Sequence, residues 1–204
     1  MNKDDFKKWL EKCFEFMPDL PFKNTDRNNN LRDDIIKRVF AECLTDDERA
    51  DFYGLPKGCR IRDGAKIISQ DKLQIGENCW IGENAILDAS GGLEIGSNCS
   101  IGLSVFIWTH SSFLTNLTMS NEPGSDLIQR KPTKIGCGCF ISGPSVVLPG
   151  VTLGDKVLVR PFTTVDKDVP SRSIVDSSGI KKGVLTDDRI SRLTKKQIYQ
   201  QGRQ

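Results

Sequence analysis

The chain has 204 residues, 29 Lys and Arg against 27 Asp and Glu, and a single histidine. That length can bury one sizeable core, and a net charge of +2 without a basic block excludes a dedicated nucleic-acid surface. Hydrophobic residues at 37% exclude wholesale disorder, no apolar run is long enough to span a bilayer, and one histidine excludes a His-rich zinc site within the chain.

Residues 1–57 read as a helical N-terminal segment. Its opening, MNKDDFKKWLEKCFEFM, carries charges where a signal peptide needs an apolar stretch, so a cytoplasmic location and reduced thiols on the seven cysteines are expected. Phe6, Trp9, Leu10, Cys13, Phe14 and Met17 form one apolar stripe at three- and four-residue spacing. Lys23 to Asn30 is polar and reads as a loop. Leu31, Ile35, Ile36, Val39, Phe40 and Cys43 form a second stripe, and Thr45 with Glu48 fits a capping box. Both stripes suit helices packing on each other or on the next domain.

From residue 58 the pattern changes to sixes. The chain runs IGENCW, IGENAI, LDASGG from Ile75, and IGSNCS, IGLSVF, IWTHSS from Ile95. From Ile135 it runs IGCGCF, ISGPSV, VLPGVT, LGDKVL, VRPFTT, VDKDVP. Position one is Ile, Leu or Val throughout, and Ile61 and Ile67 extend the phase upstream. Position two is often Gly, expected to relieve backbone strain at a bend. Position five is mostly small or β-branched, including Cys79, Ala85, Cys99, Val105, Cys139 and Thr163. One obligatory aliphatic every six residues suits a short flat strand plus a bend, and three such units close a triangular coil with a continuous aliphatic interior. Helical and hairpin periodicities both fail. The sixes therefore give an all-β triangular coil over 58–170, with a helical N-terminal segment and a short C-terminal helix in a tail over 171–204.

Two interruptions stand out. Residues 73–87 and 93–107 match at a spacing of twenty, which implies a two-residue bulge at one corner. Between 111 and 133 the sixes stop, and an insertion ejected from a solenoid corner is usually functional. The tail closes on a polar helix from Thr186 to about Gln201, with Ile190, Leu193 and Ile198 on one side.

IGSNCSIGLSVFIWTH followed by KIGCGCFISGPSVVLPGVTLGDKVLVRPFTTVDKDVP resembles the hexapeptide-repeat acyltransferases, particularly the galactoside and maltose type of sugar O-acetyltransferase. The resemblance covers roughly residues 61–170. It implies a left-handed parallel β-helix, and a homotrimer that carries acetyl from acetyl-CoA, without a metal, to a saccharide hydroxyl. His110 matches the family's catalytic histidine, which acts as general base at a subunit interface. Ser142 or Gly143 would supply the backbone N–H for the oxyanion, with a simple bend as the competing reading. Lys167 matches the family lysine on the donor phosphates. Arg160-Pro161-Phe162 stands where Gly-Ala-Gly is usual; Pro161 removes an N–H there, and Arg160 is a substitute phosphate contact. Lys181 is a further basic candidate, beside the simpler reading of a solvated surface. Asn84 and Asp88, one coil before His110, are acceptor-side candidates or turn formers, and Trp108 walls a sugar pocket or packs.

Competing functions share the scaffold. A zinc carbonic anhydrase on the same helix needs three histidines and is excluded. Serine or amino-sugar acetyl transfer, and a non-catalytic β-helical scaffold, stay open. Cys137 and Cys139 suggest a metal, but their spacing is poor for zinc, and a structural role fits Cys79, Cys99 and Cys139, all at position five.

Overall fold

The computed structural model describes residues 25–119 and 127–201, with positions 4, 5, 7–9, 12 and 23 and without the side chains of 198–201. The chain divides into two units, residues 1–39 and 40–204. The first apolar stripe falls almost wholly outside the described residues. Helix α1, Asp26–Ala41, carries most of the second. It begins inside the stretch expected to be a loop, because the Thr25 hydroxyl accepts the Asn28 N–H at 3.2 Å and so caps it. Helix α2, Asp46–Phe52, starts with the Glu48 carboxylate accepting the Thr45 N–H at 2.9 Å.

The remainder winds as a triangular coil of parallel strands. One face stacks strands 60–61, 80–81, 100–101, 140–141, 158–159 and 174–176; a second stacks 66–68, 86–88, 106–107, 146–147 and 164–165. A third stacks 73–75, 93–95, 133–135 and 152–153. Leu73 pairs with Leu93 and Ile81 with Ile101, so these coils repeat at twenty residues as the sequence spacing implies. Position-one aliphatics fill the interior: Ile61, Ile81, Leu87, Ile101, Ile107, Ile141, Val147 and Val159 are completely buried. Cys79, Cys99 and Cys139 follow them inside, each thiol donating 3.1 Å to a glycine carbonyl on the next coil.

The position-two glycines serve a different purpose from strain relief. Left-handed φ falls at position four, on Asn78 (56°), Asn84 (56°), Asn98 (59°) and Ser104 (53°). At position two the constraint is closeness: a Cβ on Gly102 would sit 2.6 Å from the Gly143 nitrogen and 2.7 Å from the Ile141 carbonyl oxygen. The parallel coil also continues one strand beyond Pro170, where 174–176 pairs with 158–159 before the chain turns back as the antiparallel strand 179–181.

The insertion has structure of its own. His110–Ser111 pairs antiparallel with Gln129–Arg130, and a short helix α3, Phe113–Leu117, follows the first of these strands. The last helix, α4, is Asp187–Gln201; the Thr186 hydroxyl accepts the Arg189 N–H, and Arg172 holds Asp187 with both guanidinium nitrogens. At the opposite end of the coil Arg49, 4% exposed, donates to the carbonyls of Ala41, Leu44 and Ile61.

Candidate active site

The corner joining the second face to the third carries the chain's only imidazole. Strand 86–88 ends in Asp88, and the tight stretch Ala89 to Gly92 turns onto the third face. One coil on, Trp108 to His110 occupy the same corner and the insertion leaves from it. Gly91 is obligatory here, since a Cβ would lie 2.2 Å from the Thr109 carbonyl oxygen. The insertion is drawn back by Lys131 N–H to Thr109 carbonyl at 2.8 Å, and the buried Thr133 hydroxyl donates to the Trp108 carbonyl at 2.9 Å.

Within this corner Asp88 is fully buried and every bond it makes is local. Its Oδ2 accepts from Thr109 N–H at 2.9 Å, from the Thr109 hydroxyl at 3.1 Å and from His110 Nδ1 at 2.7 Å, while Oδ1 accepts the Ser90 N–H at 3.0 Å. Burial pushes its carboxyl up, but bonds from Thr109, His110 and Ser90 outweigh that and hold it at about 2. An ionised carboxylate at 2.7 Å places the imidazole proton on Nδ1 and leaves the Nε2 lone pair free. The Ser90 hydroxyl lies 3.1 Å from the same Nδ1. The His110 side chain remains 32% exposed. The arrangement is a hydrogen-bonded, oriented base open to solvent.

Asp88 therefore differs from the expectation of an acceptor contact: it is sealed beneath the imidazole. Asn84 lies at another corner, between the first and second faces, with φ of 56° and its side chain against Gly64, where it serves as a turn residue. Trp108 meets the His110 ring edge to face with centroids 6.2 Å apart.

Ser142 and Gly143 also sit at the first-to-second corner. The Ser142 N–H is consumed by the Val159 carbonyl at 2.9 Å, so it is not a free oxyanion donor; the Gly143 N–H has no acceptor among the described residues. Arg160 and Pro161 stack on them in the next coil, tied by the Ser145 hydroxyl to the Arg160 carbonyl at 3.0 Å. Lys167 shares the histidine's corner, further along the coil, and lines a cleft of about 480 Å³ with Phe162, Thr164, Asp176 and Gly179. Lys181 is held by Asp176 at 2.7 Å, which neutralises its charge. The structure thus gathers the candidates at two corners, His110 with Lys167 and Gly143 with Arg160. These lie at opposite ends of the second face, roughly 15 Å apart at 3.3 Å per residue.

Sequence reasoning missed Ser90 and the Asp88–His110 contact. The signal was the twenty-residue coil spacing, which stacks position 90 beneath position 110.

Residues 72–107 and 132–160 match the family described as the hexapeptide repeat of succinyl-transferase. The coil is a hexapeptide-repeat left-handed β-helix. A hexapeptide-repeat containing acetyltransferase of Vibrio cholerae, complexed with acetyl coenzyme A, is 20% identical with a TM-score of 0.61, over 78% of this chain and 88% of that one. A maltose O-acetyltransferase of Clostridium difficile is 20% identical with a TM-score of 0.56, over 72% and 81%. A galactoside acetyltransferase in complex with coenzyme A is 15% identical with a TM-score of 0.60, over 79% and 82%. At these identities the likeness is one of fold. No helix among the described residues is long and apolar enough to cross a membrane, and no metal-holding cluster of His, Cys, Asp and Glu occurs among them.

Proposed function

We propose that this protein transfers an acetyl group from acetyl-CoA to a saccharide hydroxyl, with His110 as general base, and that it works as a homotrimer. The observation that carries the reading is the Asp88–His110 pair at 2.7 Å, the carboxylate buried and the imidazole partly exposed at a coil corner where the insertion departs. The bound ligands and substrates named for the similar structures, acetyl coenzyme A, coenzyme A, maltose and galactoside, support it.

The chemistry follows from the free Nε2. It takes the acceptor hydroxyl proton as the oxygen attacks the thioester carbonyl, and the buried Asp88 carboxylate stabilises the imidazolium that forms. The Gly143 N–H suits the negative oxygen of the tetrahedral species. Collapse breaks the carbon–sulfur bond, and the imidazolium returns its proton to the leaving thiolate, giving free CoA thiol and the acetyl ester. Lys167, without a carboxylate partner among the described residues, and Arg160 suit the donor phosphates.

A trimer resolves the two-corner arrangement. His110 and Gly143 of one chain lie too far apart to meet one carbonyl, whereas a neighbouring subunit can bring its Gly143 corner to this His110. The outer surface fits such packing. Trp80, Phe140, Leu158 and Ile174 point outward on the first face and Ile86, Phe106 and Val146 on the second, while Gln74, Glu94, Lys134 and Thr152 make the third face polar. Two apolar faces meeting at one edge need cover. The test is acetyl-CoA-dependent thiol release across hexosides, amino sugars, serine and simple alcohols. Release with hexosides supports the reading, and release only with amines overturns the hydroxyl assignment.

A further inference from the structure

The insertion returns to the coil beside the histidine and sets a cation there. In the antiparallel pair Arg130 stands directly opposite His110, and side chains so opposed share a face with Cβ atoms about 4.5–5.5 Å apart. Arg130 is exposed and has no carboxylate partner among the described residues. A second cation approaches from the preceding coils: Lys72 Nζ donates to the Ser90 carbonyl at 3.3 Å, and the Ser90 hydroxyl touches the imidazole. Lys72 also lacks a carboxylate partner among the described residues, although Asp71 precedes it in the same turn. Some cations elsewhere on the coil are neutralised, Lys134 by Glu94 at 2.8 Å and Lys156 by Asp187 at 3.2 Å. The carboxylate beneath the histidine, Asp88, is buried and fully engaged. Lys72 lies on the side of His110 away from Lys167, which leaves this end of the corner for the acceptor.

We infer that Arg130, backed by Lys72, binds an anionic group on the acceptor, so that the substrate class is an acidic saccharide carrying a carboxylate or a phosphate. The inference rests on the acetyl-transfer reading above for the acceptor, and on Arg130 with Lys72 for the anion. A guanidinium fork beside the base would hold such a group by paired hydrogen bonds and fix which hydroxyl faces Nε2.

The experiment measures calorimetric binding and acetyl transfer for methyl glucuronide, glucose 6-phosphate and neutral methyl glucoside, with the full chain, Arg130→Gln and Lys72→Gln. The native chain is expected to favour one of the two acids over the glucoside, and the acid preferred tells carboxylate from phosphate. In Arg130→Gln that preference should fall by about tenfold or more, with a smaller fall in Lys72→Gln. Equal affinity of the native chain for acid and neutral sugars overturns the inference, as does acid binding that ignores Arg130. Weakened acetyl-CoA binding in Arg130→Gln with acid binding intact also overturns it, moving the arginine to the donor side. Arg130-dependent acid binding in a protein that binds no acetyl-CoA would uphold the anion site and sink the transfer reaction.

Discussion

At the residue scale the central contact is one carboxylate under one imidazole. Asp88→Asn keeps the shape but removes the charge that holds the proton on Nδ1, and turnover should fall on the order of 10²-fold or more with the fold intact. His110→Ala should lose at least as much. The same carboxylate has a signature in stability. Its folded value of about 2 lies below the ordinary 3.8, so its contribution is complete above about pH 4 and lost as the pH falls towards 2. Melting temperatures recorded across that window should therefore fall less steeply in Asp88→Asn than in the native chain. An unchanged slope would contradict the assignment.

At the element scale the end cap and the coil corners carry the testable load. Arg49 closes the first coil by satisfying three carbonyls, and Arg49→Ala should cost roughly 2–4 kcal/mol in denaturant unfolding. Gly102→Ala pushes a Cβ into the backbone of the next coil at 2.6 Å and should destabilise by about 1–3 kcal/mol, or prevent folding. These corners also show what the sequence disclosed. The strands were legible because an aliphatic recurs at every sixth residue of each run of sixes, whatever stands between. The start of α1 was not, because Thr25 converts a polar run into a capped helix, and polarity alone reads as loop. Nor was the role of Asp88 legible, since a corner aspartate that orients a histidine looks like one that merely turns the chain. Ser142 looked as available as Gly143 until the coil ladder took its N–H.

At the scale of the whole molecule the account requires assembly. Sedimentation should give three times the 22.8 kDa chain mass, and Phe106→Glu on the apolar second face should dissociate the assembly and abolish transfer together while leaving His110 in place. Active monomers would remove the need for a neighbouring Gly143. The most direct measurement of the central claim is release of free CoA thiol from acetyl-CoA with a hexoside panel, comparing the native chain with His110→Ala. Acceptor-dependent release by the native chain and at least a 10²-fold smaller rate in the variant are expected. Acceptor-dependent release that survives the loss of His110 would contradict that claim.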